Sequence, residues 1–174
     1  MSVVPPRFLE KLGGHKLNRK TIKSIRAQRS LHLIDIENLC GESNPTVEQV
    51  AAMKSAYEQL VKPGEHDLFL VTLSSKSNLA AAVFGWKGAQ VNFKEGHDGA
   101  DILIAKELMN SRTADLFGHV YVASGDGGLA PFVSKLKKTG TEVSVVSAPE
   151  SLSHYMRYLG VEVRYLDRGY ALAA

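Results

Sequence analysis

From residue 31 onward, short apolar runs alternate with segments of helical periodicity. The apolar runs predict strands over residues 31–36, 67–73, 90–93, 120–123, 142–146 and 161–165. The first, second and fourth of these runs are largely apolar, which is typical of parallel strands that are covered on both faces. The segments between them predict helices over residues 47–60, 78–86, 100–110, 129–138 and 152–159. This alternation predicts an α/β fold, a three-layer α/β/α sandwich with a mainly parallel, Rossmann-like sheet.

The first 30 residues lack a strand pattern and carry a concentrated positive charge. They contain eight Lys and Arg side chains against Glu10 alone, a net charge of +7, whereas the remaining chain has a net charge of −4. We therefore expect a basic N-terminal arm over residues 1–30 and one domain over residues 31–174. Such an arm can attract nucleic acid or another polyanion, and a solvated tail is the alternative.

The chain has 174 residues and one cysteine. This length is sufficient to bury a core without disulfides, and Cys40 has no intramolecular partner, which favours a reducing compartment. No segment approaches the roughly 18 to 20 consecutive apolar residues that a membrane span needs. The N-terminus has charge and glycine where a signal peptide would have an apolar region. We expect a soluble cytoplasmic protein with no membrane partner.

Three acidic residues lie at or just beyond the carboxyl ends of predicted strands, where open parallel sheets bind their ligands. Asp35 lies near the end of the first strand, Asp101 opens the helix after the third, and Asp126 follows the fourth. Asp101 and Asp126 also fit ordinary helix caps or first-turn acids. Asp35 is harder to explain in that way, because a buried carboxylate needs a partner or a metal ion. Converging carboxylates predict a Mg²⁺ or Mn²⁺ site.

The segments that carry these acids, LIDIENL, GADILIAKEL and VASGDGGLAPFVSKLKKTGTEVSVV, resemble the three acidic motifs of NYN domains. NYN domains are a nuclease group related to PIN domains, and the resemblance covers roughly residues 31–165. Asp35 and Asn38 match the first motif, Asp101 with Glu107 the second, and Ser124-Gly125-Asp126 the third. The resemblance implies a PIN-like fold and a metal-dependent ribonuclease that hydrolyses RNA phosphodiester bonds.

The implied metal ligands are Asp35, Asp101 and Asp126, with Glu107 as a further candidate. Asn38 would orient a water molecule or a phosphate oxygen, since its amide both donates and accepts. Ser124 would contact phosphate or hold its loop. We expect the RNA backbone to be bound by basic residues of the arm, namely Lys16, Arg19, Lys20, Lys23, Arg26 and Arg29.

One position departs from the family pattern. The family commonly continues as Ser-Gly-Asp-x-Asp-Phe, whereas this chain has Gly128 and Leu129. This leaves a one-metal site, a two-metal site and a catalytically weakened RNA-binding or scaffold module as alternatives. A haloacid-dehalogenase-like phosphatase is a further alternative, but that group needs Asp where this chain has Glu37. The sequence leaves a homo-oligomer open.

Overall fold

Six parallel strands form one sheet in the computed structural model, which describes residue 26 and residues 28–169. The strands are β1 (Ser30–Asp35), β2 (Leu68–Leu73), β3 (Gln90–Phe93), β4 (His119–Ala123), β5 (Glu142–Ser147) and β6 (Glu162–Tyr165). Each begins and ends within one residue of the apolar run that predicts it. The helices are α1 (Ile36–Cys40), α2 (Val47–Val61), α3 (Leu79–Gly85), α4 (Gly99–Leu108), α5 (Ser111–Leu116), α6 (Ala130–Lys137) and α7 (His154–Arg157).

The helices cover the sheet from both sides. Helices α1, α2 and α3 pack on one face through residues such as Met53, Tyr57 and Ala82, against Ile34 and Val71 of the sheet. Helices α4, α6 and α7 pack on the other face around a second core. The predicted three-layer α/β/α sandwich is confirmed, and its sheet is parallel throughout.

The strands lie in the order β3-β2-β1-β4-β5-β6. From β1 the chain adds β2 and β3 toward one edge of the sheet, and from β4 it adds β5 and β6 toward the other edge, so the direction of strand addition reverses between β1 and β4. Ile34 of β1 is paired with Ala123 of β4, so Asp35 and Ser124 leave the sheet side by side. A crevice forms at such a reversal, because the connections from the two strands turn away to opposite faces. The first and third acidic motifs therefore meet at the point where this class of sheet binds ligands.

Two helices were not predicted from the sequence. The apolar run at residues 31–36 predicts a strand that includes Ile36, but the strand ends at Asp35 and α1 begins with Ile36. Asp35 is the N-cap of α1, and α1 ends at Gly41, whose φ of 72° suits glycine. Helix α5 is the second, and Asn110 caps it. Thr46 caps α2, and Gln49 completes a capping box.

No helix within the described part of the chain is long and apolar enough to cross a bilayer.

Candidate functional site

Asp35 is a nearly buried carboxyl group at the end of the central strand. Its exposed fraction is 6%, and its Oδ1 accepts a hydrogen bond of 3.0 Å from the backbone amide of Asn38. Its strand neighbours Leu31 and Leu33 belong to the core that includes Ile104 of α4, so Asp35 lies on the α4 face of the sheet. Burial raises its pKa to about 7, and the nearby charge of Asp101 adds to this effect.

Asp101 lies in the first turn of α4. Its Oδ1 is buried and has no hydrogen-bond partner among the described residues. Burial raises the pKa of Asp101 to about 6, with a further contribution from the negative charge of Asp126. Gly99 allows α4 to begin close to β3, because a Cβ at Gly99 would lie 1.7 Å from the Lys94 carbonyl oxygen.

Asp126 is the exposed member of the three acids. Its Oδ1 accepts a hydrogen bond of 2.6 Å from the Gly128 amide and caps the 3₁₀ turn Gly127–Leu129. Ser124, two residues earlier, is fully buried, and its Oγ accepts a hydrogen bond of 3.3 Å from the Asp126 amide. This placement fits the alternative in which Ser124 holds the loop rather than contacting phosphate.

Asn38 connects the first and third motifs directly. Its Oδ1 accepts a hydrogen bond of 2.9 Å from the Gly125 amide, and no bond to its Nδ2 group is found within the described chain. Gly125 is required here, because a Cβ would lie 2.1 Å from the Ser151 carbonyl oxygen. The loop after β5 therefore packs directly on the third motif.

Arg168, which follows β6, binds the C-terminal end of α1. Its guanidinium donates to the Leu39 carbonyl at 2.8 Å and to the carbonyl of Asn38, and it also binds Ser151 at 2.7 Å. Glu150 pairs with the same guanidinium at 2.7 Å. The C-terminal carbonyls of a helix attract cations, so this contact both satisfies and orients α1.

Glu37 lies near the acidic cluster. Its carboxylate accepts bonds from the Ser74 amide at 3.1 Å and from Asn78 Nδ2 at 2.6 Å. Its charge contributes to the raised pKa values of both Asp35 and Asp101. Glu37 lies in the first turn of α1, and a Pro or Gly, which would have indicated the boundary between β1 and α1, is absent.

His97 brings a titratable group to the exposed edge of the same cluster. Its Nδ1 lies 2.6 Å from an oxygen of Asp98. The hydrogen bond to Asp98 raises the pKa of His97, and the charges of Asp101 and Asp126 act in the same direction. A protonated His97 is thus a cation near Asp101 and Asp126, neither of which forms an ion pair within residue 26 and residues 28–169.

The three predicted aspartates do not close around one point. Within residue 26 and residues 28–169, no group of three or more His, Cys, Asp or Glu side chains is arranged to hold a metal ion. The free oxygen of Asp101 and the oxygen-only chemistry of the cluster still fit a hydrated Mg²⁺ or Mn²⁺ bound through one or two carboxylates. The fit is therefore to a water-rich ion and not to a three-carboxylate cage.

Several predicted site residues lie elsewhere. Glu107, at the other end of α4 from Asp101, accepts a hydrogen bond of 2.9 Å from Thr113 Oγ1 and supports the start of α5. Lys16, Arg19, Lys20 and Lys23 lie outside the described residues.

Arg26 and Arg29 lie at the opposite end of the sheet from the acids. Arg26 donates to the Phe117 carbonyl at 3.0 Å and to Thr141 Oγ1 at 3.1 Å, and the Arg29 guanidinium lies 5.3 Å from the Phe117 ring centre. Phe117 and Thr141 precede β4 and β5, so these arginines hold the N-terminal ends of the two strands in position. The structure does not bring them to the acidic crevice, where RNA delivery would need them.

Comparison with known proteins supports the fold. No family model matches the sequence, and no curated protein matches it. The structure is similar to the crystal structure of a protein of unknown function from Vibrio parahaemolyticus, with a TM-score of 0.58 and 17% sequence identity. The similarity covers 82% of this chain and 94% of that chain. At this identity the likeness shows a shared α/β architecture.

Proposed function

We propose that the protein is a metal-dependent endoribonuclease whose site is the crevice between β1 and β4. The observation that carries this proposal is the buried, unpartnered Oδ1 of Asp101 beside the buried carboxyl of Asp35. No Lys or Arg within the described chain forms an ion pair with either carboxyl. Two neighbouring carboxyls with raised pKa values favour a divalent cation between them, since a cation relieves their desolvation and repulsion.

Asp101 and Asp35 would hold the ion, and Asp126 would bind one of its water molecules. When bound, such an ion polarises a phosphodiester and lowers the pKa of an attacking water molecule. Asn38 is held by Gly125 through Oδ1, so its Nδ2 group is oriented to donate to a phosphate oxygen or to that water molecule. Asn38 thus supplies a fixed neutral donor at a site that otherwise consists of acids.

The choice of RNA as the substrate rests on the resemblance of the three motifs to NYN domains. The phosphatase alternative has less support, because Glu37 is engaged by Ser74 and Asn78 and does not supply a second free carboxylate after β1. A specific observation favours a second candidate, a non-catalytic RNA-binding module. The described residues form no three-ligand group, and Gly128 occupies the position where the family has a fourth acid.

The test is cleavage of labelled single-stranded RNA with Mn²⁺, with Mg²⁺ and with EDTA, alongside hydrolysis of p-nitrophenyl phosphate. We expect RNA cleavage that needs the metal, is lost in Asp101→Asn and is retained in Asp115→Asn, whose carboxylate is exposed on α5. RNA retention without cleavage would support the binding module. Release of p-nitrophenol would support the phosphatase, and cleavage that survives EDTA would overturn the metal-dependent proposal.

A further inference from the structure

A groove runs away from Asp126 along α6. It has a volume of about 410 Å³ and is lined by Gly127, Ala130, Pro131, Ser134, Tyr155 and Leu159. The lining is predominantly apolar, and the groove begins one residue beyond Asp126. A ligand with one apolar part and one charged part would therefore contact the groove and the carboxylate cluster at the same time.

Tyr155 provides an exposed aromatic ring in this groove. The residue is 71% exposed, although a side chain of this type is usually at least half covered in a folded domain. Its Cδ2 lies 3.1 Å from the position that a Cβ on Gly127 would take, so the ring stands against the backbone next to Asp126. Any larger residue at position 127 would push the ring away, and the glycine therefore keeps the ring beside the acids.

The charge along the groove changes from negative to positive. Pro131 and Ser134 line it, and Lys135 and Lys138 follow them by four residues, one turn further along the same side of α6. Both lysines are exposed. Lys137, between them, is used differently: its Nζ donates to the carbonyl oxygens of Leu159 and Gly160 and holds the wall of the groove. The groove thus joins an acidic end, an aromatic middle and a basic end.

We infer that this groove is a nucleotide subsite, in which an unpaired base of single-stranded RNA stacks on Tyr155. This inference rests on the proposed function, and it adds the strandedness of the substrate and a second contact region. A single strand offers a flat base between phosphates, which matches a ring followed by two cations. The phosphate on one side of the base would face Lys135 and Lys138. The phosphate on the other side would reach the crevice of Asp101 and Asp126.

Stacking on an aromatic side chain contributes enough to be measured separately from phosphate contacts. The probe is a short single-stranded oligonucleotide, compared with the same strand in which the central bases are replaced by abasic residues. The phosphate charge is equal in both strands, so the ratio of their Kd values reports base contacts alone. The binding is measured with the full chain in EDTA, where no cleavage occurs.

We expect the parent protein to bind the base-containing strand more tightly by between about 5-fold and about 100-fold. Tyr155→Ala should reduce this ratio to near one, and Tyr155→Phe should keep it, because the ring carries the stacking. Phe84→Ala is the matched control, since Phe84 is 61% exposed on α3, on the opposite face of the sheet. An unchanged ratio in Tyr155→Ala would overturn the subsite.

The outcome for this subsite is separable from that for the nuclease. If the ratio of Kd values falls to near one in Tyr155→Ala and the parent does not cleave RNA, the base contact is supported and metal-dependent cleavage is excluded. Active cleavage with an unchanged ratio would defeat the subsite alone. A change of oligomeric state in Tyr155→Ala, measured by sedimentation velocity, would assign the groove to a second copy of the chain and would also overturn the inference.

Discussion

The side-chain Oδ1 of Asn38 accepts a hydrogen bond of 2.9 Å from the backbone amide of Gly125, which lies 87 residues later in the chain. This bond joins helix α1, which follows β1 directly, to the loop after β4 across the reversal of strand order. Asn38 is therefore a connecting residue as well as a candidate donor to substrate. A change at Asn38 should affect both the stability of the protein and the geometry of the crevice.

Asn38→Ala should lower the free energy of unfolding by about 1–3 kcal/mol, because it leaves the buried Gly125 amide without an acceptor. Asn38→Asp keeps an acceptor oxygen and should lose less, although it adds a charge next to Asp35. Urea denaturation of the two variants and the parent gives the comparison. Equal stability of Asn38→Ala and the parent would show that the bond contributes nothing in solution.

Asp35→Asn should change the dependence of stability on pH. The folded pKa of Asp35 is about 7, above the unfolded value near 3.8, so the folded protein holds the extra proton. The resulting stabilisation is complete below the unfolded pKa and is lost as the pH rises through the folded pKa. Between about pH 5 and about pH 8, the metal-free parent should lose about 2–3 kcal/mol relative to Asp35→Asn.

Chemical denaturation in EDTA at several pH values measures this difference. His32, whose pKa burial lowers, is common to both proteins and cancels in the comparison. Parallel curves for the two proteins would show that Asp35 is ionised at its ordinary pKa in the folded state.

Gly128→Asp should tighten binding of Mn²⁺ and lower the stability of the metal-free protein. A Cβ at this position would meet only Asp126 Oδ1, at 3.0 Å, which is the movable end of a side chain. The new carboxylate would thus lie beside Asp126 and add both a ligand and a like charge. Titration calorimetry gives the affinity and thermal unfolding in EDTA gives the stability. Unchanged or weaker Mn²⁺ binding would exclude an ion near Asp126.

Arg26→Ala should lower the free energy of unfolding by about 1–2 kcal/mol, because two hydrogen bonds from a charged group to Phe117 and Thr141 are lost. Arg112→Ala, at an exposed position on α5, should have little effect. The salt dependence of RNA binding should stay unchanged in Arg26→Ala. A weaker salt dependence with full stability would instead assign Arg26 to RNA.

Four of the six basic residues that precede Arg26 are the contrasting case. Replacing Lys16, Arg19, Lys20 and Lys23 together by alanine should weaken RNA binding and flatten its salt dependence. Each lost phosphate contact on a single strand changes the slope of log K against log salt by about 0.7. Filter binding over a range of salt concentrations measures the slope, and an unchanged slope would rule out a role of these residues in binding RNA.

The extent of the strands could be predicted because continuous apolar runs such as 120–123 have few other solutions in a covered sheet. The local end of β1 could not be predicted, since Ile36 is apolar in either a strand or a helix. The periodicity changes there from two to 3.6 residues without a Gly or Pro to indicate the boundary. The contacts of Glu37 with Ser74 and Asn78 therefore become visible only in the fold.

The sequence motifs of the candidate site could be recognised, but the contacts of their side chains could not be predicted. The position of Asp35 beside the third motif follows from the parallel pairing of β1 with β4. The contact between Glu107 and Thr113 depends on α5, which has only six residues and a weak pattern. The contacts of Arg26 depend on the packing of Phe117 and Thr141, and charge alone gave no indication of them.

Arg168 has a consequence for the order in which the molecule folds. Its guanidinium binds carbonyl groups 129 and 130 residues earlier in the chain, and contacts between such distant residues form only after the intervening chain has been brought together. Helix α1, which carries Asn38, is therefore fully anchored only when the chain beyond β6 is in place. A chain that stops before Arg168 would contain all three aspartates without the guanidinium that binds the Asn38 carbonyl, so a complete crevice is a property of the completed fold.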